Sequence, residues 1–75
     1  MRYQADAEII NSADSWEVAE NDIYFDRLAD VPSVRQLRRV YELTPDEHGT
    51  MRLSVYRFDE STGESEEDPV KVIEF

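Results

Sequence analysis

The chemistry available to this chain is mostly that of carboxylates, because it has eighteen Asp and Glu residues, one His and no Cys. The histidine, His48, lies in a predicted turn over residues 46–49. A general base needs an orienting partner and a reacting group within hydrogen-bonding distance, and no Gly-x-Ser-x-Gly elbow or glycine-rich phosphate loop accompanies it. We therefore predict a solvated turn histidine and a protein that is not an enzyme. The enzyme alternative requires an activity that His48→Ala abolishes.

The densest group of carboxylates lies in residues 59–68, which contain one glycine and six acids: Asp59, Glu60, Glu64, Glu66, Glu67 and Asp68. Oxygen ligands of this kind suit calcium or magnesium, but the spacing lacks the alternating acids and placed glycine of an EF-hand loop. Three interpretations stay open: a solvated loop, a contact surface for a macromolecule, and a metal site. We expect no cofactor and assign none of these residues as a metal ligand.

Further acids precede this loop, and two of them, Asp6 and Glu8, are spaced to share the outward face of one strand, about 6.8 Å apart. The series continues into the following segment with Glu17, Glu20, Asp22 and Asp26. Residues 1–30 and 44–75 each carry a net charge of −6, whereas residues 31–43, with Arg35, Arg38 and Arg39, carry +2. Rows of carboxylates on a rigid scaffold can imitate the phosphates of a duplex and release counterions on binding a basic groove.

In this overall character the chain resembles the small acidic phage-encoded inhibitors that mimic DNA, anti-CRISPR proteins among them. Its two acidic arms and the loop at residues 59–68 carry the resemblance. These inhibitors share no sequence motif, so the resemblance assigns no residue to a family position. It implies an inhibitor that occludes a basic, nucleic-acid-binding site on a partner protein, in the host cytoplasm, without binding nucleic acid itself. The basic segment with Arg35, Arg38 and Arg39 departs from a uniformly acidic mimic.

The elements that must position these acids follow from hydrophobic periodicity. Residues 2–10 alternate as a half-exposed strand, and the segment from Trp16 continues as a second one. Residues 21–29 suit either a strand or a short helix capped by Asn21, and we favour a helical turn. Ser33 and Gln36 form a capping-box pattern that begins a helix over residues 33–44. Strands are predicted over residues 50–58 and 70–75.

These elements predict a single α+β domain over residues 1–75: a small antiparallel sheet of three or four strands, in the order β-β-α-β-β, with one main helix (residues 33–44) packed on it. Met51, Leu53 and Val55 are expected to share the core-facing side of the strand over residues 50–58. Four apolar residues of the last two strands are expected on the opposite face: Tyr56, Phe58, Ile73 and Phe75. Such a face would be covered by a partner or by a second copy in a homodimer.

Charge and composition leave one further alternative open. The chain has a net charge of −10 and seven Arg to one Lys, a pattern that a salt-loving or GC-rich organism also produces. In that case the protein would be a small interaction subunit or antitoxin-like module, binding through its aromatic sheet face. No hydrophobic run approaches the ~20 residues of a membrane span, so we expect a soluble, cytoplasmic protein that does not bind membranes.

Overall fold

A computed structural model describes residues 2–47 and 49–75, and strands take up 47% of it against 18% for helical segments. The strands are β1 (Arg2–Ile10), β2 (Trp16–Phe25), β3 (Met51–Asp59), β4 (Glu64–Ser65) and β5 (Lys71–Glu74). The α-helix is α1 (Val34–Val40), and two 3-10 turns cover Leu28–Asp30 and Pro45–Glu47.

The strands form one antiparallel sheet in the order β2-β1-β3, and both β4 and β5 pair with β3. The sheet curls into a half-barrel, which encloses the core on its concave face. Alternation along β1 and β3 determines which side chains point inward, because successive residues of a strand face opposite sides. The buried apolar side chains are Ala5, Ala7, Leu37, Met51, Leu53, Val55 and Phe75.

The β2 strand explains the curl. Ten residues of β2 lie opposite residues 3–10 of β1, and the register shifts twice, between Ala5 and Ala7 and between Ala7 and Glu8. Each shift adds a residue to β2, and such bulges bend a strand and increase its twist. Asp22, in the first bulge, has a φ of 58°.

The helix begins as predicted but ends earlier. Ser33 Oγ accepts a hydrogen bond from the Gln36 amide at 3.2 Å, and Gln36 Oε1 accepts one from the Ser33 amide at 2.9 Å, which confirms the capping box. The helix ends at Val40, since Glu42 adopts a φ of 55° and the Leu43 amide returns to the Arg38 carbonyl. Together with the Glu42 amide bonded to the Arg39 carbonyl, this is a Schellman motif.

The predicted α+β class, with a main helix over residues 33–44 packed on the sheet, is therefore wrong: the fold is a small sheet-rich one. Residues 21–25, which we expected to begin a helical turn, instead continue β2 and make it a ten-residue strand. The helix has seven residues and contacts the core through Leu37 and Tyr41.

The expectation for the four apolar residues of the last strands is wrong for two of them. Phe75 is in the core, 1% exposed, and its ring centroid lies 5.6 Å from that of Tyr41. Ile73 pairs with Leu53 and packs against the same core. Tyr56 and Phe58 do lie on the opposite, outer face, since they alternate with Val55 along β3.

The helical segments of the described residues include none that is long and apolar enough to cross a membrane.

Candidate functional site

The end of the sheet at which β2 and β3 finish brings together acids from distant parts of the chain. The Nε atom of Arg2 lies 3.4 Å from a carboxylate oxygen of Asp26 and 3.5 Å from one of Glu60. The guanidinium of Arg2 also lies 5.0 Å from the ring centroid of Tyr24, which meets the Phe58 ring edge-on at 5.3 Å. One arginine and two aromatic rings thus hold the end of β2 beside the turn that follows β3.

That turn is an ordered hairpin rather than a featureless polar loop. Asp59 Oδ1 accepts hydrogen bonds from the Ser61 amide at 2.9 Å and from the Ser61 hydroxyl at 2.6 Å. These bonds hold the pKa of Asp59 below its usual range. Gly63, with a φ of 72°, donates to the Asp59 carbonyl, and Glu64 and Ser65 form β4 against Asp59 and Phe58.

The acids beyond β4 follow the outer edge of β3. The Glu66 amide donates to the Arg57 carbonyl at 2.9 Å, and the Val70 amide donates to the Val55 carbonyl at 2.7 Å. The segment between these bonds contains Glu67 and Asp68, both exposed. Its backbone is therefore held along β3 at both ends while its carboxylates face water.

We call this surface the acidic hairpin; its members are Asp26, Asp59, Glu60, Glu64, Glu66, Glu67 and Asp68. An open groove of about 630 Å³ lies within it, lined by residues from Arg57 to Glu66. Arg2 and Arg57 are among the basic residues beside these seven acids, which leave the surface with a strong negative charge. Its backbone is held by hydrogen bonds and its carboxylates are exposed, so it can bind a basic surface.

The other predicted acids lie elsewhere. Asp6 and Glu8 share the outer face of β1, as predicted, but Glu8 is enclosed and paired. Its side chain is 13% exposed and accepts hydrogen bonds from Arg52 Nε at 3.2 Å, from Arg52 Nη2 at 3.0 Å and from Ser54 Oγ at 3.0 Å. The Arg52 hydrogen bonds hold the pKa of Glu8 below its usual range, despite partial burial. Glu8 therefore stabilises the sheet and does not present its charge to a partner.

The remaining three acids, Glu17, Glu20 and Asp22, lie on β2, the edge strand. Glu17 accepts a hydrogen bond from Asn11 Nδ2 at 2.8 Å, and Glu20 accepts one from the Tyr41 hydroxyl at 2.8 Å. Burial, together with the Glu20 carboxylate, raises the pKa of Tyr41 to about 12, so Tyr41 remains a donor at neutral pH. These acids lie along β2, apart from the acidic hairpin.

The basic helix keeps its charge largely away from the acids. Arg35 and Arg39 are exposed. Arg38 donates to the carbonyl oxygens of Thr44 at 2.5 Å and Glu47 at 3.4 Å. These hydrogen bonds hold the segment that follows the helix.

Sequence reasoning missed Arg2 and Tyr24 as organisers of the acidic hairpin. The run Ile23, Tyr24, Phe25 signalled a strand, and that assignment would have placed Tyr24 on the outer face. No sequence signal would have placed Arg2 beside Asp26 and Glu60, because their meeting depends on strand register.

Within residues 2–47 and 49–75, no group of three or more acids lies close enough together to hold a metal ion. His48 lies outside the described residues, so its assignment as a solvated turn histidine stays a prediction. A comparison of the chain with family models, with curated proteins and with solved structures finds no match.

Proposed function

We propose that this protein is an inhibitory binding protein whose acidic hairpin occupies a basic, nucleic-acid-binding site on a partner protein, as a DNA mimic does. The observation that carries the proposal is the contact of Arg2 with Asp26 and Glu60, which gathers acids from two segments onto one surface. The mode of action resembles that of anti-CRISPR-type inhibitors, in the cytoplasm of a host cell.

Rigidity supports this function over mere solubility. A flexible acidic loop would lose conformational freedom on binding, whereas a preordered one avoids much of that cost. The Ser61 bonds to Asp59 and the backbone bonds of Glu66 and Val70 order the acidic hairpin before any partner arrives. When a basic groove binds these carboxylates, counterions are released, as they are when the groove binds the phosphates of a duplex.

The test is capture of partners from a lysate of the native host with the tagged protein, followed by washes of rising salt or of competing duplex DNA. We expect a nucleic-acid-binding complex that duplex DNA releases. The variant carrying Glu64→Lys, Glu66→Lys and Glu67→Lys should lose this complex, because charge reversal replaces attraction by repulsion, and should stay folded, because all three side chains are exposed.

The matched control reverses three exposed acids at the other end of the molecule: Asp14→Lys, Glu42→Lys and Asp46→Lys. It changes net charge equally and should still capture the complex. Undiminished capture by the acidic hairpin variant, or equal loss with the control, would contradict the proposal.

A second candidate function is an interaction module that uses the outer aromatic face. The observation in its favour is that Tyr24, Tyr56 and Phe58 lie on one side of the sheet, with Tyr24 38% exposed. Tyr56→Ala should then abolish a salt-resistant association, because an aromatic anchor can carry about 2 kcal/mol or more of binding. Retained association in that variant would exclude this candidate.

A further inference from the structure

The outer edge of β2 is open. One side of β2 pairs with β1, and no other strand among the described residues lies against its second side. Such an edge presents backbone donors and acceptors that an added strand can satisfy. The curled sheet is thus a half-barrel whose open margin is a ten-residue strand.

An apolar cleft adjoins this edge on the concave side. It has a volume of about 210 Å³ and is lined by residues of β2, by α1 with the flanking Pro32 and Tyr41, and by Leu53. Its apolar lining includes Ile23, Phe25, Leu37 and Val40. Val40, the last residue of α1, is 69% exposed at the margin of the cleft. The volume is below the roughly 300–1,000 Å³ of ordinary small-molecule sites, so a single side chain fits it better than a metabolite does.

The negative charge of the β2 edge indicates which kind of segment can bind there. Residues 16–26 contain four acids, Glu17, Glu20, Asp22 and Asp26, and no basic residue. A second copy of the chain would bring the same acids and a net charge of −10 against this edge, which is repulsive. A segment with Lys or Arg beside its apolar side chains is complementary.

We propose that the open edge of β2 and the adjoining cleft bind an extended basic segment of a partner protein. The segment adds a strand to the sheet, places an apolar side chain in the cleft and brings its basic side chains beside the acids of β2. This site lies on β2 and α1, whereas the proposed function rests on the acidic hairpin, so the two can fail separately.

The probe is an acetylated and amidated peptide of about nine residues in which lysine alternates with valine, a length typical of a strand. Binding is followed by NMR of the amide groups of the labelled protein. We expect shift changes at β2 and at Leu37 and Val40. A peptide of the same charge with a central proline should bind about tenfold or more weakly, because proline removes a strand donor. Equal binding of both peptides would overturn the proposal.

Matched variants then separate the edge from general electrostatics. Glu17→Gln with Asp22→Asn should weaken the peptide about three- to tenfold, as expected for two surface charge contacts. Glu66→Gln with Glu67→Gln changes net charge equally and should leave the affinity within about twofold. Val40→Asp, at an exposed position, should also weaken binding. If the Glu66 and Glu67 variant weakens the peptide as much as the edge variant does, the acidic surface as a whole binds it and the β2 site is wrong.

Discussion

At the scale of single residues, Arg52 is the centre of a cluster of side chains on the outer face of the sheet. Its guanidinium donates two hydrogen bonds to Glu8 and lies 4.3 Å from the ring centroid of Trp16. Glu8 also accepts from Ser54, which is 3% exposed. A cation, a carboxylate and an aromatic ring from three strands thus form one polar cluster, which packs the face opposite the core.

Glu8→Gln should destabilise the fold by about 1–2 kcal/mol, the range for a charge-assisted hydrogen bond at a partly exposed site. The amide nitrogen of Gln would face an Arg52 donor, so one of the two hydrogen bonds is lost. Urea unfolding followed by the fluorescence of Trp16, the only tryptophan, measures the change. Asp6→Asn removes the same charge from the same face and should be neutral or slightly stabilising; an equal loss in both variants would show that charge alone matters.

Acid should remove the Glu8 contribution. Because the pKa of Glu8 in the folded protein lies below its ordinary value of 4.5, its stabilisation is present above about pH 4.5 and is lost as the pH falls through the folded pKa. The difference in unfolding free energy between the unaltered protein and Glu8→Gln should therefore be constant near neutral pH and shrink below about pH 4. A difference that grows on acidification would contradict this assignment.

At the scale of elements, the end of α1 is unusual because Glu42 occupies the left-handed position at which helices most often place glycine. Its side chain also puts a negative charge at the negative end of the helix dipole. The helix predicted to continue to residue 44 ends two turns after its cap because Leu43 packs toward the core. Nothing in the residue type of Glu42 signals this turn.

Glu42→Gly should stabilise the protein by about 1 kcal/mol, because a non-glycine residue in this conformation costs roughly 1–2 kcal/mol. Glu42→Ala is the matched control, since it removes the charge but keeps the backbone strain. Thermal unfolding of both variants separates the two effects. A glycine variant no more stable than the alanine variant would show that the backbone conformation carries no cost here.

The bulges in β2 explain why the sequence predicted only the first part of this strand. Its alternation is broken twice by bulges, at Ala19 and at Asn21 with Asp22, so the period of two that identified β1 and β3 fails along its middle. Asp22 has a positive φ in its bulge, a conformation that Asn and Asp tolerate better than most residues.

At the scale of the whole molecule, ten of the eighteen acids belong to the acidic hairpin or to β2, and Glu8 is paired with Arg52 within the sheet. The other seven are spread over the rest of the chain, whose net charge is −10. Self-repulsion among these charges opposes the compact state.

Salt should therefore stabilise the fold. The midpoint of thermal unfolding should rise between low ionic strength and about 0.1 M NaCl, where the Debye length falls to about 10 Å. The acidic hairpin variant with three charge reversals, whose net charge is less negative, should show a smaller rise. A midpoint that falls with salt would mean that ion pairs such as Arg2 with Asp26 outweigh the repulsion.

The sequence by itself determined the local features: the strands β1 and β3, the capping box of Ser33 and Gln36, and the core-facing set Met51, Leu53 and Val55. These follow from periodicity and side-chain hydrogen bonding over a few residues. Only the tertiary structure decided that the fold is sheet-rich, that Phe75 is in the core, and that Arg2 joins Asp26 to Glu60. Each of these depends on the pairing register of strands far apart in the chain, and register is set by packing over the whole sheet.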